Sequence, residues 1–236
     1  MSDSVPIFEC RDLVAGYGNT LILHGISLSI QQNETICIIG PSGSGKTTLL
    51  KTLAGWLIPQ HGSILLDGKD VTKSSIAVRS SRGLRFACDS RAIFRNLTVK
   101  QNLDLARASS KRIGIDRQLE HFFPSFKDRA RQLTGSLSGG QQQILSLWCA
   151  LVAQPDILVA DEFSEGLDTK SIGSMVGLIE EYRRRFPLSL LLVEPKISLA
   201  RSLADRMVLL NRGTVDIDQP IAAFGELPEF EGRMTF

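Results

Sequence analysis

Apolar positions along this chain recur in two rhythms. Ile7–Val14 reads as an early strand, and Leu21–Ile30 alternates apolar with polar residues at the period of two that a half-buried strand requires. Thr35–Ile39 is a short, apolar, β-rich run that ends in a glycine loop. Lys46–Ala54 switches to helical spacing, with Leu49, Leu50 and Leu53 on one face and Gly55 as the stop. Ser63–Leu66 predicts a further strand, closed by the turn signal Asp67-Gly68. Gln141–Val152 predicts a strong helix, with Ile144, Leu147, Trp148 and Leu151 at helical spacing. Ile157–Ala160 predicts a buried strand that runs into the acidic pair Asp161-Glu162. After it come a helix at Ile172–Arg185, strands at Leu188–Val193 and Met207–Leu210, and a helix at Ile197–Ala204 between those strands. Strands that alternate with helices imply a mainly parallel sheet covered on both faces. Residues from about 98 to 135 break the alternation: they are rich in Arg and Lys, poor in β-branched runs, and predict an inserted helical lobe.

Composition narrows the function classes. The 236 residues, 43% of them hydrophobic, suffice for one large domain with a substantial core. With 27 basic and 25 acidic residues the net charge is +2, which makes no case for nucleic acid. The basic run Arg183–Arg185 has no interleaved aromatic residues and reads as a solvated helix face. Cys10, Cys37, Cys88 and Cys149 form no CxxC pair and gather no histidines, so neither a disulfide framework nor a zinc site is expected. The segment Met1–Pro6 lacks a hydrophobic signal core, and no apolar run approaches the roughly 20 residues of a membrane helix. The expectation is a soluble chain whose membrane role, if any, comes through a partner.

Two constellations carry chemistry. Gly40-Pro41-Ser42-Gly43-Ser44-Gly45-Lys46-Thr47 matches GxxxxGK[ST] and sits between a predicted buried strand and a predicted helix, as a phosphate loop must. Glycines let the backbone curl so that N–H groups point at phosphate oxygens, and the helix N-terminus adds partial positive charge. Lys46 is expected to reach the β- and γ-phosphates, the Thr47 hydroxyl to bind Mg²⁺, and Thr48 to complete the ATP-binding set. The bland alternative, a glycine-rich turn with an incidental lysine, does not explain the strand–loop–helix setting. Asp161 and Glu162 follow a predicted parallel strand, and ligands of such sheets sit beyond the strands' carboxyl ends. Asp161 would then share the Mg²⁺ with Thr47, and Glu162 would polarise an attacking water.

Leu137-Ser138-Gly139-Gly140-Gln141 precedes the strong helix. Ser138 there is an N-cap candidate, and the two glycines expose N–H groups at a second helix start. A second anion site beside one phosphate loop suggests a second subunit whose ATP this chain covers.

With the phosphate loop, the LSGGQ signature and the Val159–Glu162 VADE pair in order, nearly the whole chain resembles the ATP-binding-cassette (ABC) ATPase family. The resemblance implies an α/β P-loop NTPase fold: a mainly parallel core sheet, an N-terminal antiparallel β subdomain and an inserted helical lobe. As a single domain over 1–236, the core would take 1–97 and 153–236, and the lobe with the signature 98–152. It also implies a head-to-tail dimer, homomeric or with a paralogue, holding two ATPs. Ser138, Gly139, Gly140 and Gln141 would close on the other subunit's ATP, Tyr17 of Ala15-Gly16-Tyr17-Gly18 would stack on adenine, and Asp168 of Glu165-Gly166-Leu167-Asp168 would communicate across the dimer. Finer features are similar to the branched-chain amino acid, urea and amide importer branch: Ser90–Phe94 leading into Asn96–Val99, Phe123–Phe126, and Leu192-Val193-Glu194.

Three departures qualify that pattern. Asp89 stands where the family usually has a glutamine that contacts Mg²⁺; a carboxylate still suits a hard cation, with shorter reach. Pro195 stands where a histidine usually contacts the γ-phosphate, and proline has neither a polar side chain nor an N–H. Phe163 and Cys149 replace a usual proline and arginine, with packing consequences expected. The resulting expectation is an ATP-hydrolysing motor, peripheral on the cytoplasmic face of the inner membrane, coupled to a separate permease and touching the membrane only through it. The alternative is a nucleotide-gated, weakly hydrolysing half of a heterodimer.

Overall fold

The computed structural model describes residues 5–87, 93–108, 126, 128–162, 164–194 and 196–224. Among these residues the strands form two sheets. The first is antiparallel, in the order β2-β1-β4-β5, from β1 (Phe8–Tyr17), β2 (Thr20–Ile30), β4 (His61–Leu66) and the two-residue β5 (Lys69–Asp70). The second runs β10-β9-β3-β8-β7-β6, from β3 (Thr35–Ile39), β6 (Leu84–Ala87), β7 (Ile157–Asp161), β8 (Ser189–Val193), β9 (Arg206–Asn211) and β10 (Thr214–Pro220). All neighbours in it are parallel except the β9–β10 hairpin at one edge.

The strand period of two decides how the core is divided. On β3, Ile36 and Ile38 enter one apolar cluster, while Cys37 and Ile39 enter the other. All five β3 residues are buried, so the strand reads as a continuous apolar run because both its faces are covered. One cluster holds the apolar face of α1 (Lys46–Ala54), namely Leu49, Leu50 and Leu53, against β1, β2 and β4. The other holds Leu145, Leu147 and Leu151 of α4 (Gly139–Val152) and Leu178 and Ile179 of α5 (Thr169–Arg183). Full burial of each such side chain contributes about 1.5–3 kcal/mol, so the sandwich holds the carboxyl ends of β3, β7 and β8 in register.

The predicted elements are present, with shifted ends. The helix α1 begins and ends where the pattern placed it, and α4 starts two residues earlier than predicted, at Gly139. The stretch 98–135 is less helical than predicted: α3 (Val99–Ala108) is followed, within the described residues, by turns over 128–131 and a short 3₁₀ turn at Thr134–Ser136. Residues 109–125 lie outside the described residues. Also unpredicted are α2 (Ile76–Ser81), β5, β6, β10, α6's early stop (Ile197–Leu203) and the short α7 (Ile221–Phe224). β10 escaped notice because an edge strand with alternate exposed acids, TVDIDQP, carries little apolar signal.

Candidate functional site

The phosphate loop leaves the carboxyl end of β3 and enters α1. Close backbone approaches shape it. Gly40 has φ 154°, and a Cβ there would lie 2.1 Å from the Leu210 carbonyl oxygen of β9. Gly43 and Gly45 take φ 76° and 105°, where a side chain is strained. From the β9–β10 turn, the Gly213 N–H donates to the Ser44 carbonyl at 2.9 Å and pins the middle of the loop.

The two ends of α1 are treated differently. Its N-cap is Gly45, which has no side chain to satisfy the first-turn N–H groups. At its C-terminus Gly55 closes the helix in the left-handed conformation, and Arg79, 1% exposed, donates to the Thr52 and Leu53 carbonyls at 2.7 Å each. The helix dipole therefore presents its positive end to the loop. Ser44 Oγ is buried there with no hydrogen-bond partner. An orphaned hydroxyl inside a curl of glycine backbone suits an oxyanion such as a phosphate.

Lys46 folds over this loop, its Nζ donating to the Gly40 and Pro41 carbonyls at 2.8 and 2.9 Å. Burial lowers its pKa, while the charges of Asp161 and Glu162 pull it up. The loop lysine and the acidic pair therefore form one electrostatic unit, although more than 110 residues separate them in sequence. Thr47 is exposed at the helix start, with Ser42 and Gly43 exposed beside it, whereas Thr48 is buried and its carbonyl accepts from Thr52.

Asp161 closes β7 and lies opposite Val193 of β8. Glu162 follows with φ 50°, an uncommon conformation for a non-glycine residue. Its carboxyl is pushed up to about 7, first by a hydrogen bond with Glu165, then by desolvation and the charges of Glu165 and Asp161, against the pull of Lys46. Thr47 and Asp161 offer hard oxygen donors that suit Mg²⁺. Among the described residues no group of three His, Cys, Asp or Glu could hold a metal unaided, so an ion here would complete its shell with phosphate oxygens and water.

Ser138 caps α4 in a reciprocal box: its Oγ accepts from the Gln141 N–H at 3.3 Å, and Gln141 Oε1 accepts from the Ser138 N–H at 3.1 Å. The signature start adjoins the segment before α5. Gln143 Nε2 donates to the Glu165 carbonyl at 3.3 Å, and a Cβ on Gly140 would lie 2.9 Å from the Leu167 side chain. Asp168 caps α5 through Ser171, whose N–H and hydroxyl donate at 2.8 and 2.9 Å. Tyr17, 48% exposed at the end of β1, has the Lys51 ammonium 5.6 Å from its ring centroid. Asp89, Pro195, Phe163 and the stretches Ser90–Ala92 and Phe123–Ser125 lie outside the described residues.

Three contributors were given no role of their own in the sequence reading. Glu165 raises the Glu162 carboxyl, Lys51 flanks Tyr17, and the buried Glu194 binds Ser164. Glu194 alone left a legible signal, a carboxylate directly after the apolar run Leu190–Val193. A separate groove of ≈ 440 Å³ is lined by Trp56, Ile76, Phe86, Phe94, Leu105 and Cys149 among others. Trp56 stacks on Phe86 at 5.6 Å, yet remains 49% exposed, and Phe94 is 62% exposed.

A phosphate loop after β3, an acidic pair at the end of β7 and a second, Ser138-capped helix start with two glycines define a P-loop nucleotide-binding cassette. The family model described as ABC transporter matches residues 23–165, more than half of the chain. The high-affinity branched-chain amino acid transport ATP-binding protein BraG of Pseudomonas aeruginosa is 33% identical over 84% of this chain and 86% of its own. The protein named probable branched-chain amino acid transport ATP-binding protein LivF, of Archaeoglobus fulgidus, is 30% identical over 93% of this chain and 94% of its own. A solved nucleotide-free ATP-binding cassette from an ABC transporter shares the fold, with a TM-score of 0.82 at 20% identity over 95% of this chain and 97% of that one. The chain belongs to the ABC transporter family, as an ATP-binding subunit.

Proposed function

We propose that the chain hydrolyses ATP with Mg²⁺ and powers solute movement through a separate membrane permease. The observation that carries this reading is the convergence of Lys46, Asp161 and Glu162 at the carboxyl ends of β3 and β7, with the Lys46 charge balanced by both acids. Gly40–Thr47 would cradle the phosphates, and Lys46 would stabilise charge on the transferred phosphoryl group. Thr47 and Asp161 would hold Mg²⁺, which neutralises phosphate charge when bound; Asp89 would be a further ligand. Glu162 would orient the attacking water, and Tyr17 would carry the adenine. Ser138 to Gln141 would close on the nucleotide of a second, head-to-tail ATPase subunit, and Asp168 would communicate between the two.

The apolar groove around Trp56 and Phe86 would receive a helix of the permease, since exposed aromatic residues are costly to leave in water. No helix among the described residues is long and apolar enough to cross a membrane, so the chain would sit on the cytoplasmic face through that contact. The two full-length relatives favour branched-chain amino acid import. Within this reading, 98–152 would act as the helical lobe against the core of 1–97 and 153–236.

The test is steady-state Mg²⁺-ATP hydrolysis by the purified chain, beside Glu162→Gln and Lys46→Ala. Turnover that both substitutions abolish supports the reading. Nucleotide binding without turnover moves the chain to the regulatory half of a heterodimer.

A further inference from the structure

Glu194 immediately follows β8, all five of whose residues are buried, and is itself 1% exposed. A buried carboxylate is costly unless several donors meet it. Three do. Ser164 N–H donates to Oε2 at 3.1 Å, Ser164 Oγ donates to Oε1 at 2.8 Å, and Lys196 N–H donates to Oε1 at 2.8 Å. Ser164 is fully buried. One carboxylate therefore clasps two loops: the one after β7, which carries Glu162, and the one after β8, which leads into α6. The Glu194 N–H faces the Ile38 carbonyl of β3 at 3.4 Å, so the strand that launches the phosphate loop reaches the same residue.

Glu162 is exposed and lies two residues before Ser164. Its aim depends on its described neighbours: the Glu165 N–H donates to the Glu162 carbonyl at 3.0 Å, and the clasp holds Ser164. The loop after β8 carries Pro195 in place of a side chain that could reach a phosphate. What that loop retains is a backbone N–H, at Lys196, tied to the same carboxylate.

We propose that Glu194 is a positioning residue for ATP hydrolysis: its clasp on Ser164 and Lys196 aims Glu162 and locks that aim to the loop after β8. This rests on the hydrolytic reading above and adds a part to it.

The test compares wild type, Glu194→Gln, Ser164→Ala, their combination, and Glu162→Gln. Glu194→Gln keeps the shape but turns an NH₂ group toward a backbone N–H whichever way the amide faces. The expected result is a fall in kcat of about ten-fold or more with KM and nucleotide affinity within about two-fold. Ser164→Ala should lose less, and the double variant should be no worse than Glu194→Gln alone. A lowered melting temperature with kcat intact, or a kcat loss matched by rising KM, overturns the proposal. Glu162→Gln separates this from the failure of hydrolysis itself. If wild type shows no Glu162-dependent turnover, hydrogen exchange decides. ATP-induced protection of 162–168 that Glu194→Gln removes supports the clasp, and equal protection in both overturns it. If Glu194→Gln does not fold, Ser164→Ala and Ser164→Cys, which keep the carboxylate, carry the same kcat-against-KM comparison.

Discussion

Two helices in this chain begin at glycine-rich segments, and their first turns are satisfied in opposite ways. The helix α1 begins at Gly45, with no side-chain cap, and beside it Ser44 Oγ is buried without a partner. The helix α4 begins at Ser138, whose hydroxyl and whose neighbour Gln141 satisfy each other's backbone groups. The first start has no side-chain cap, and the second is capped by side chains of its own first turn. A glycine N-cap costs only about a few tenths of a kcal/mol against a Ser or Asp cap, and it leaves free N–H groups that can serve an anion. A capped start needs no ligand to complete its cap.

That contrast can be broken most severely at the ligand-facing start. Lys46→Ala removes the ammonium that the Gly40 and Pro41 carbonyls hold over the loop; on the proposed hydrolytic function, steady-state phosphate release should fall by at least about 10²-fold, with nucleotide binding weakened in parallel. Gly40→Ala comes next. A Cβ 2.1 Å from the Leu210 carbonyl at φ 154° must shift the loop off β9. Thermal unfolding should show a loss of about 1–3 kcal/mol, and titration should show nucleotide affinity lost. At the self-satisfied start, Ser138→Ala should lower stability by about 0.5–2 kcal/mol, seen in denaturant unfolding, with the affinity of the lone chain for nucleotide unchanged and its turnover reduced.

The smallest effect sharpens the comparison through a third helix start. Bonds from Ser171 hold the Asp168 carboxyl below the usual carboxylate range. A depressed folded-state pKa contributes stability that is present above the unfolded value, about 4, and lost as pH falls through the folded one. Asp168→Asn should therefore flatten the acid limb of the melting temperature profile and leave neutral pH nearly unchanged.

Local patterns were legible wherever the physics is local. The span of α1 could be read because Leu49, Leu50 and Leu53 repeat at helical spacing between a glycine start and Gly55. The phosphate loop was legible because φ values of 76° and 105° demand glycine at fixed positions. Ser138 was recognisable as a cap because an N-cap needs only its own next three residues. β6 and β10 were missed because short or acid-bearing strands are defined by their neighbours rather than by their own composition. The stretch 128–136 looked helical by its basic content, yet turns and a 3₁₀ segment took its place.

The sequence alone determined the order of elements, the glycine geometry of the loop, and the pairing of a lysine with two later acids as candidates. The first two depend on backbone conformation and on residues adjacent in the chain, and the third on two motifs each legible by itself. Only the tertiary structure decided that Arg79 seals the far end of α1, that Glu165 shares a hydrogen bond with Glu162, and that Glu194 ties the loops after β7 and β8 together. Each of these is a polar group whose meaning depends on which carbonyl, carboxylate or N–H it meets. Arg79 meets carbonyls 27 and 26 residues away, and Glu194 meets a loop 30 residues away after the neighbouring parallel strand, so no local pattern records either partner.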